Sequence, residues 1–172
     1  SARVALADAI LRAVPGAAAT EYSSTGVPSV EVASSSIVEV LRFLRDDPGH
    51  AYTALIDITA IDHTSEEGAF HVVYVLRSPK HRAKLIVKAR VPAADPRVPS
   101  ATVLWKAADW AEREVWDMFG IRFDGHPNLR RILMYEPFEG HPLRKSYAYD
   151  RRQPLVEERD PIADPWPSRD RF

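Results

Sequence analysis

Residues 109–131 read DWAEREVWDMFGIRFDGHPNLRR and combine signals for a helix, a helix end, a short strand and a turn. Asp109 predicts the start of the helix, because aspartate is a favoured N-cap residue and Glu112, three positions later, is placed to complete a capping box. Arg113 and Asp117 are four positions apart, which predicts an ion pair along the exposed side of the helix. The alanines and larger apolar residues recur at helical spacing, so one side of this helix is expected to be buried.

The second half of the stretch predicts the end of the helix, a short strand and a turn. Gly120 is placed to end the helix in a left-handed conformation, which glycine adopts at little cost. Residues 121–124 alternate between apolar and charged side chains, as in a strand. Residues 124–127, with the sequence DGHP, are typical of a tight turn.

The residues before this stretch predict a small α+β domain. Apolar periodicity favours helices at residues 3–14 and 37–44, and one of Ser34, Ser35 or Ser36 is expected to cap the second helix. Strands are expected at 17–25, 27–33, 52–62, 70–77 and 83–91. The last three are joined by short turn-like segments, which indicates antiparallel neighbours. We therefore expect a mostly antiparallel sheet with helices on one face.

The chain changes character after residue 135. Residues 132–135 suit one more short strand, but apolar periodicity disappears from residue 136 onward while prolines and alternating charges become frequent. We therefore divide the chain into an α+β domain at residues 1–135 and an extended, proline-rich C-terminal tail at residues 136–172. Such a tail buries too little apolar surface to fold by itself.

Two interpretations of the tail compete. One is a disordered terminus. The other is an arm that becomes ordered by lying on another protein. The second is favoured because aromatic residues and arginine are enriched at the centres of protein interfaces, and the tail carries the scattered anchors Tyr147, Tyr149, Leu155, Trp166 and Phe172.

Composition limits the classes of function. The chain has 172 residues, a formal net charge of −1 and 45% hydrophobic residues, which is typical of one soluble domain with a core. Balanced charge argues against a nucleic-acid binder. The chain has no cysteine, so disulfides, thiol nucleophiles and cysteine-held zinc or iron–sulfur centres are excluded. No apolar run approaches the roughly 20 residues that a membrane-spanning helix needs. The first 14 residues carry Arg3 and Asp8 in a helical pattern, unlike a secretory signal.

Familiar catalytic motifs are few. No phosphate-binding glycine loop and no GxSxG nucleophile motif is present in the sequence. His126, Glu139 and His141 form one conceivable metal site, in which case the chain would be a stand-alone metal-dependent enzyme. Their spacing fits no established ligand pattern, so histidines that bond backbone groups in turns are the preferred interpretation.

Two motifs resemble the signature of one known family. The first is EREVWDMFGIRFDGHPNLRRIL at residues 112–133, and the second is EGHPLRKSY at residues 139–147. Together they resemble the C-type subunit of NADH-quinone oxidoreductase, a peripheral subunit of respiratory complex I. The family commonly has an acidic residue where this chain has Ser146.

The resemblance implies a non-catalytic role in the hydrophilic arm of a proton-translocating complex that carries electrons from NADH to quinone. It implies no cofactor on this chain, although the parent complex uses FMN, iron–sulfur clusters and quinone. It implies contact with the D-type subunit, around which the tail is expected to wrap, and proximity to the B-type and I-type iron–sulfur subunits. Membrane association would be indirect, at the cytoplasmic or matrix face.

The resemblance places the partner interface on residues of the two motifs. Arg130, Arg131, Arg144 and Lys145 are expected to bind partner carboxylates, which arginine in particular pairs with well. The expected interface comprises Glu112, Arg113, Asp117, His126, Pro127, Arg130, Arg131, His141, Pro142, Arg144, Lys145 and Tyr147. Alternatives are the equivalent subunit of a related membrane-bound hydrogenase or dehydrogenase, and the metal enzyme above. An RNA-binding module ranks lowest, because paired exposed aromatics on a basic sheet are missing from the sequence pattern. The isolated chain could also associate with a second copy.

Overall fold

A computed structural model describes residues 6–23 and 26–155 of the chain. The start of the first predicted helix, the end of the strand predicted at 17–25, and the tail beyond residue 155, with Trp166 and Phe172, lie outside the described residues. No helix among the described residues is long and apolar enough to cross a membrane.

Three helices lie close to their predicted positions, and a fourth, short one occupies a segment predicted as a turn. The helices are α1 (Leu6–Ala13), α2 (Ile37–Asp46), the single turn α3 (Thr64–Glu67), which was not predicted, and α4 (Ala108–Phe119). Ser36 occupies the N-cap position of α2, but its side chain makes no capping bond there. The Ser36 hydroxyl instead donates a 3.2 Å hydrogen bond to the Gly16 carbonyl, so the predicted side-chain cap is wrong.

The strands are β1 (Thr20–Ser23), β2 (Pro28–Ala33), β3 (Ala54–His63), β4 (Ala69–Ser78), β5 (Ala83–Pro92), β6 (Arg97–Pro99) and β7 (Arg122–Asp124). Five of them form one sheet in the order β1-β2-β5-β4-β3. Its pairs are antiparallel except β2 with β5, which is parallel. The predicted fold class, α+β with a mostly antiparallel sheet, is confirmed.

One face of the sheet packs against the helices. The alternating residues Val72, Tyr74 and Leu76 of β4 belong to a core that also contains Leu41 of α2 and Val115 of α4. The period of two along β4 places these side chains on the same face. The β5 residues on the opposite face, such as Lys84 and Arg90, are exposed.

The segments on either side of α4 differ from the sequence prediction in two ways. Residues 97–99, for which no strand was predicted, form β6 and pair in parallel with β7. This pairing places the segment that precedes α4 beside the segment that follows it. The strand expected at residues 132–135 is absent: residues 132–134 form a bend and residue 135 has no regular structure.

Candidate functional site

The first motif begins with a buried carboxyl group rather than a helix cap. Helix α4 starts at Ala108, and no side chain bonds to its N-cap position at Ala107. Glu112 is fully buried. Its two oxygens lie 2.6 Å from the Ser100 hydroxyl and 2.6 Å from the Ala101 backbone nitrogen. The predicted capping box of Asp109 and Glu112 is therefore wrong, because Glu112 points to the core and bonds the segment that follows β6.

Burial changes the acidity of Glu112. Desolvation raises the pKa of Glu112 to about 7, and the bonds from Ser100 and Ala101 offset only part of that rise. Tyr74 lies close enough to this carboxyl group for its charge to raise the already high pKa of the buried tyrosine further. Glu112 is thus a core group whose charge state changes near neutral pH.

His126 joins the turn after β7 to the first turn of α4. Its Nδ1 atom accepts a 3.0 Å hydrogen bond from the Asn128 backbone nitrogen, so Nε2 carries the proton. Nε2 lies 3.0 Å from the Asp109 carbonyl oxygen and 3.2 Å from an Asp109 carboxylate oxygen. The preferred interpretation, a turn histidine that bonds the backbone, is confirmed.

Asp117 organises the segment after the turn. It is fully buried and accepts hydrogen bonds of 3.1, 2.9 and 2.9 Å from the backbone nitrogens of three consecutive residues, 132, 133 and 134. Arg131 donates a fourth, at 2.5 Å. Burial favours the neutral acid, but the four donors outweigh burial and lower the pKa of Asp117 below its usual value.

The predicted pair of Arg113 and Asp117 is wrong. Arg113 instead donates hydrogen bonds of 3.1 Å each to the carbonyl oxygens of Arg130 and Arg131. Arg113 and Asp117 of α4 therefore bind neighbouring parts of the same segment. Arg113 donates to its carbonyl groups at residues 130 and 131, and Asp117 accepts from its amides at residues 132–134. No turn propensity indicates this arrangement, because the partners are 14 to 18 positions away in the sequence.

The second motif closes the C-terminal end of α4. The last carbonyl groups of a helix have no partner within the helix. Here the carbonyls of residues 117, 118 and 119 accept hydrogen bonds from the His141 ring at 2.9 Å, the Leu143 amide at 3.0 Å and the Arg144 guanidinium at 2.5 Å. The positive charge of Arg144 also suits the negative end of the helix dipole. The Arg144 guanidinium lies 5.3 Å from the Phe70 ring centre, which ties the motif to β4.

Gly120 is required for this closure. Its φ of +72° ends α4 in the predicted left-handed conformation. A Cβ atom at this position would lie 2.5 Å from the His141 ring and 2.6 Å from the Arg144 guanidinium. The two motifs of the sequence therefore meet in space at Gly120.

The remaining residues of the second motif also contact the domain. The Lys145 amide donates a 2.7 Å hydrogen bond to the Asp62 carboxylate at the end of β3, and its ammonium lies 3.2 Å from Glu66. The Tyr147 ring stacks on Phe138 of the same C-terminal segment, with ring centres 6.1 Å apart. Lys145 therefore joins the end of the second motif to the end of β3.

The expected interface residues fall into two groups. Nine have side chains engaged within the chain: Glu112, Arg113, Asp117, His126, Arg131, His141, Arg144, Lys145 and Tyr147. Of the other three, Pro127 and Arg130 are exposed and Pro142 is half-buried. Whether any of them contacts a partner remains a prediction.

The conceivable metal site does not come together. The His126 and His141 rings bond the carbonyls of Asp109 and Asp117, and Glu139 lies 3.0 Å from Arg151. Over the described ranges, no group of three or more His, Cys, Asp or Glu residues is arranged to hold a metal ion.

The sequence is similar to a known family over most of its length. Residues 30–153 match the family model described as "Respiratory-chain NADH dehydrogenase, 30 Kd subunit". The chain belongs to this family. The matched residues include both motifs and the whole of the structural assembly around α4.

Individual relatives agree with the family. The chain is 40% identical over 161 residues to a C-type subunit of NADH-quinone oxidoreductase from Rhizobium meliloti, covering 91% of this chain and 88% of the relative. It is 49% identical over 128 residues to the C-type subunit of Citrifermentans bemidjiense, covering 74% of this chain and 77% of the relative. A Sulfurihydrogenibium protein, named as the C and D subunits of the same enzyme in one chain, is 48% identical over 123 residues, which cover 71% of this chain but only 21% of that longer protein.

Solved structures share the fold. A fragment of Nqo5, residues 1–134, superposes with a TM-score of 0.52 and 31% identity over 64% of this chain and 89% of that fragment. A chain of the membrane-bound sulfane sulfur reductase, described as an archaeal respiratory membrane complex, superposes with a TM-score of 0.62 over 89% of this chain and 94% of that one. Its identity of 24% supports a common fold only.

Proposed function

We propose that this chain is a structural subunit of NADH-quinone oxidoreductase that performs no chemistry itself. Its contribution to electron transfer from NADH to quinone is to hold the quinone-site and iron–sulfur subunits in register. FMN, the iron–sulfur clusters and quinone are bound by other subunits of the complex. The chain lies in the hydrophilic arm, at the cytoplasmic face of the membrane, or the matrix face in a mitochondrion.

The observation that carries this proposal is that residues 130–155 bond the domain with some side chains and expose apolar side chains to the outside. The inner side chains, those of Arg131, His141 and Arg144, bond α4. The outer apolar side chains are exposed: Leu133 and Leu143 are each 55% exposed, Tyr149 is 99% exposed and Leu155 is 98% exposed. Exposed apolar side chains on a segment that is fixed to the domain by hydrogen bonds are typical of a protein interface.

The D-type subunit is the proposed partner for this surface. The Sulfurihydrogenibium relative carries the names of the C and D subunits on one protein. A C-type portion joined to a D-type portion keeps the two close together, which supports direct contact between the separate chains. The B-type and I-type subunits are proposed to lie nearby.

The proposal can be tested by recovering the D-type subunit with this chain from membranes. Changing Tyr149 and Leu155 together to aspartate should reduce recovery by about tenfold or more, because interface anchors of this size each contribute about 1 kcal/mol or more. Changing Leu11 on α1 to aspartate is the matched control and should leave recovery unchanged. Equal recovery with both variants would contradict the proposed surface.

Charge reversal at the expected basic contacts distinguishes a residue that is free to bind the partner from one that also stabilises the chain. Arg130 is exposed, so Arg130→Glu should weaken recovery of the D-type subunit without changing the melting temperature of the isolated chain. Arg144→Glu is not a clean test, because Arg144 also bonds the end of α4 and its loss should destabilise the chain itself. Membranes lacking the chain should lose NADH-dependent quinone reduction, and unchanged reduction would contradict the whole proposal.

A further inference from the structure

A cavity of about 140 Å³ lies between β3 and α4, on the side where β3 forms the edge of the sheet. Its apolar walls include Ile58 of β3 and Val115 and Met118 of α4, all of which are buried. Leu143 of the second motif closes one side and is 55% exposed. The motif that anchors the tail therefore also completes this cavity.

Two carboxylates also line the cavity, Asp57 on β3 and Glu114 on α4. Both residues are exposed. The Asp57 side chain accepts a 2.9 Å hydrogen bond from the Ile58 amide, which fixes its direction at a point where the register of β3 with β4 shifts. Within the described part of the chain, no cationic side chain forms an ion pair with either carboxylate.

The cavity lining therefore combines apolar side chains with unpaired negative charge. A cavity of roughly 150 Å³ holds a ligand the size of benzene. The six heavy atoms of an arginine side chain beyond Cβ form a group of similar size, with an apolar stem and a cationic head. Such side chains bury their stems on apolar surface while the charged end reaches polar partners, and guanidinium groups pair well with carboxylates.

We propose that this cavity binds an arginine side chain of a neighbouring subunit. The stem packs on Val115, Met118 and Leu143, and the guanidinium lies between Asp57 and Glu114. This contact deepens the proposed function, since the arginine belongs to a protein of the same complex, and it adds Asp57 and Glu114 to the residues expected at the partner interface.

The two methionines of the chain provide a direct test. Met118 lines the cavity, whereas Met134 does not. The full chain, labelled with carbon-13 in its methionine methyl groups, therefore gives one reporting NMR signal and one internal reference, assigned with Met134→Leu. The probe is n-butylguanidinium chloride, and n-butanol at equal concentration is the neutral control.

The proposal predicts a saturable shift of the Met118 signal with n-butylguanidinium at millimolar concentration, a smaller shift with n-butanol, and little change at Met134. The double variant Asp57→Asn/Glu114→Gln should weaken binding about fivefold, because two exposed charge pairs are lost. An unmoved Met118 signal, or equal binding by the double variant, would overturn the proposal.

A second experiment uses the assembled complex. Glu114→Arg should reduce recovery of the chain with the membrane complex about tenfold, since a like charge would then meet the partner arginine. Glu39→Arg changes a glutamate on α2, away from the cavity, and is the matched control. If both variants assemble equally well, the arginine site is wrong while the proposed subunit function stands.

Discussion

Glu112 and Asp117 lie five positions apart on α4 and are both fully buried, yet their pKa values move in opposite directions. Asp117 is surrounded by four donors, one of them charged, whereas Glu112 has two neutral ones. Burial raises the pKa of both carboxyl groups, and only at Asp117 do the hydrogen bonds outweigh it. Both residues belong to the family motif, so the motif contains one acid that favours ionisation and one that resists it.

The raised pKa of Glu112 predicts a pH-dependent stability. The pKa of this carboxyl group is near 4.5 in the unfolded chain and near 7 in the folded chain. Between these pH values the unfolded chain releases the proton while the folded chain keeps it, so rising pH favours the unfolded chain. The wild-type chain should lose up to about 3 kcal/mol of unfolding free energy between pH 4.5 and 7 from this residue alone. Glu112→Gln should remove that slope while keeping polar contacts to Ser100 and Ala101.

Urea unfolding at several pH values between 5 and 8 measures this difference. Glu114→Gln is the matched control, because Glu114 lies on the same helix but is exposed, and it should retain the wild-type slope. If Glu112→Gln and the wild type depend on pH in the same way, the buried carboxyl group is not the source.

Asp117 should be a large single contributor to stability. Asp117→Ala leaves the Arg131 guanidinium without its buried partner and removes the acceptor of three backbone amides. Removing one partner of a buried pair costs about 3–5 kcal/mol. Thermal unfolding should therefore shift strongly downward for Asp117→Ala and little for Asp124→Ala, which changes an exposed carboxylate; similar shifts for the two variants would contradict the role of Asp117.

At the scale of the element, the end of α4 was predictable in its local geometry but not in its partners. Gly120 at the end of an apolar periodic segment indicated the left-handed helix end, because that signal is local in sequence. The three donors that satisfy the helix carbonyls come from residues 141–144, more than twenty positions away, and no local rule specifies them. The capping box failed for the same reason: Ser100 and Ala101 bind Glu112 through a tertiary contact.

Substitutions at two glycines can separate two effects at the end of α4: the close contact of Gly120 with His141 and Arg144, and the strain of a left-handed backbone. Gly120 and Gly125 both have positive φ angles, +72° and +84°, but only at Gly120 would an added Cβ atom have neighbours within 4 Å. Gly125→Ala should cost about 1 kcal/mol from its left-handed backbone alone. Gly120→Ala should cost more, because His141 and Arg144 must also move.

Limited digestion with trypsin provides the second measurement. Displacement of residues 141–144 should make cleavage after Lys145 faster than in the wild type in Gly120→Ala, and Gly125→Ala should be cleaved there at the wild-type rate. Equal cleavage and equal stability of the two variants would mean that the close contact at Gly120 is unimportant.

At the scale of the whole molecule, the sequence predicted the sheet and its class because hydrophobic alternation and short turns are local signals. The boundary at residue 135 rested on lost periodicity, a signal that detects helices and strands but not irregular segments held by side chains. Residues 136–155 contain no helix or strand in the structure, yet His141, Leu143, Arg144 and Lys145 bind α4 and β3. We therefore expect the independently folding unit to extend beyond the predicted boundary.

Comparing residues 1–135 with residues 1–155 tests this expectation. The shorter chain lacks the donors to three carbonyls at the end of α4, which at about 1 kcal/mol per hydrogen bond lowers its unfolding free energy by about 3 kcal/mol. It also loses the apolar cover that Leu143 gives to the cavity beside Met118. Urea unfolding monitored by tryptophan fluorescence should therefore place the midpoint of the shorter chain well below that of the longer one. Equal midpoints would mean that residues 136–155 only rest on the domain, as a tail with no role in its stability would.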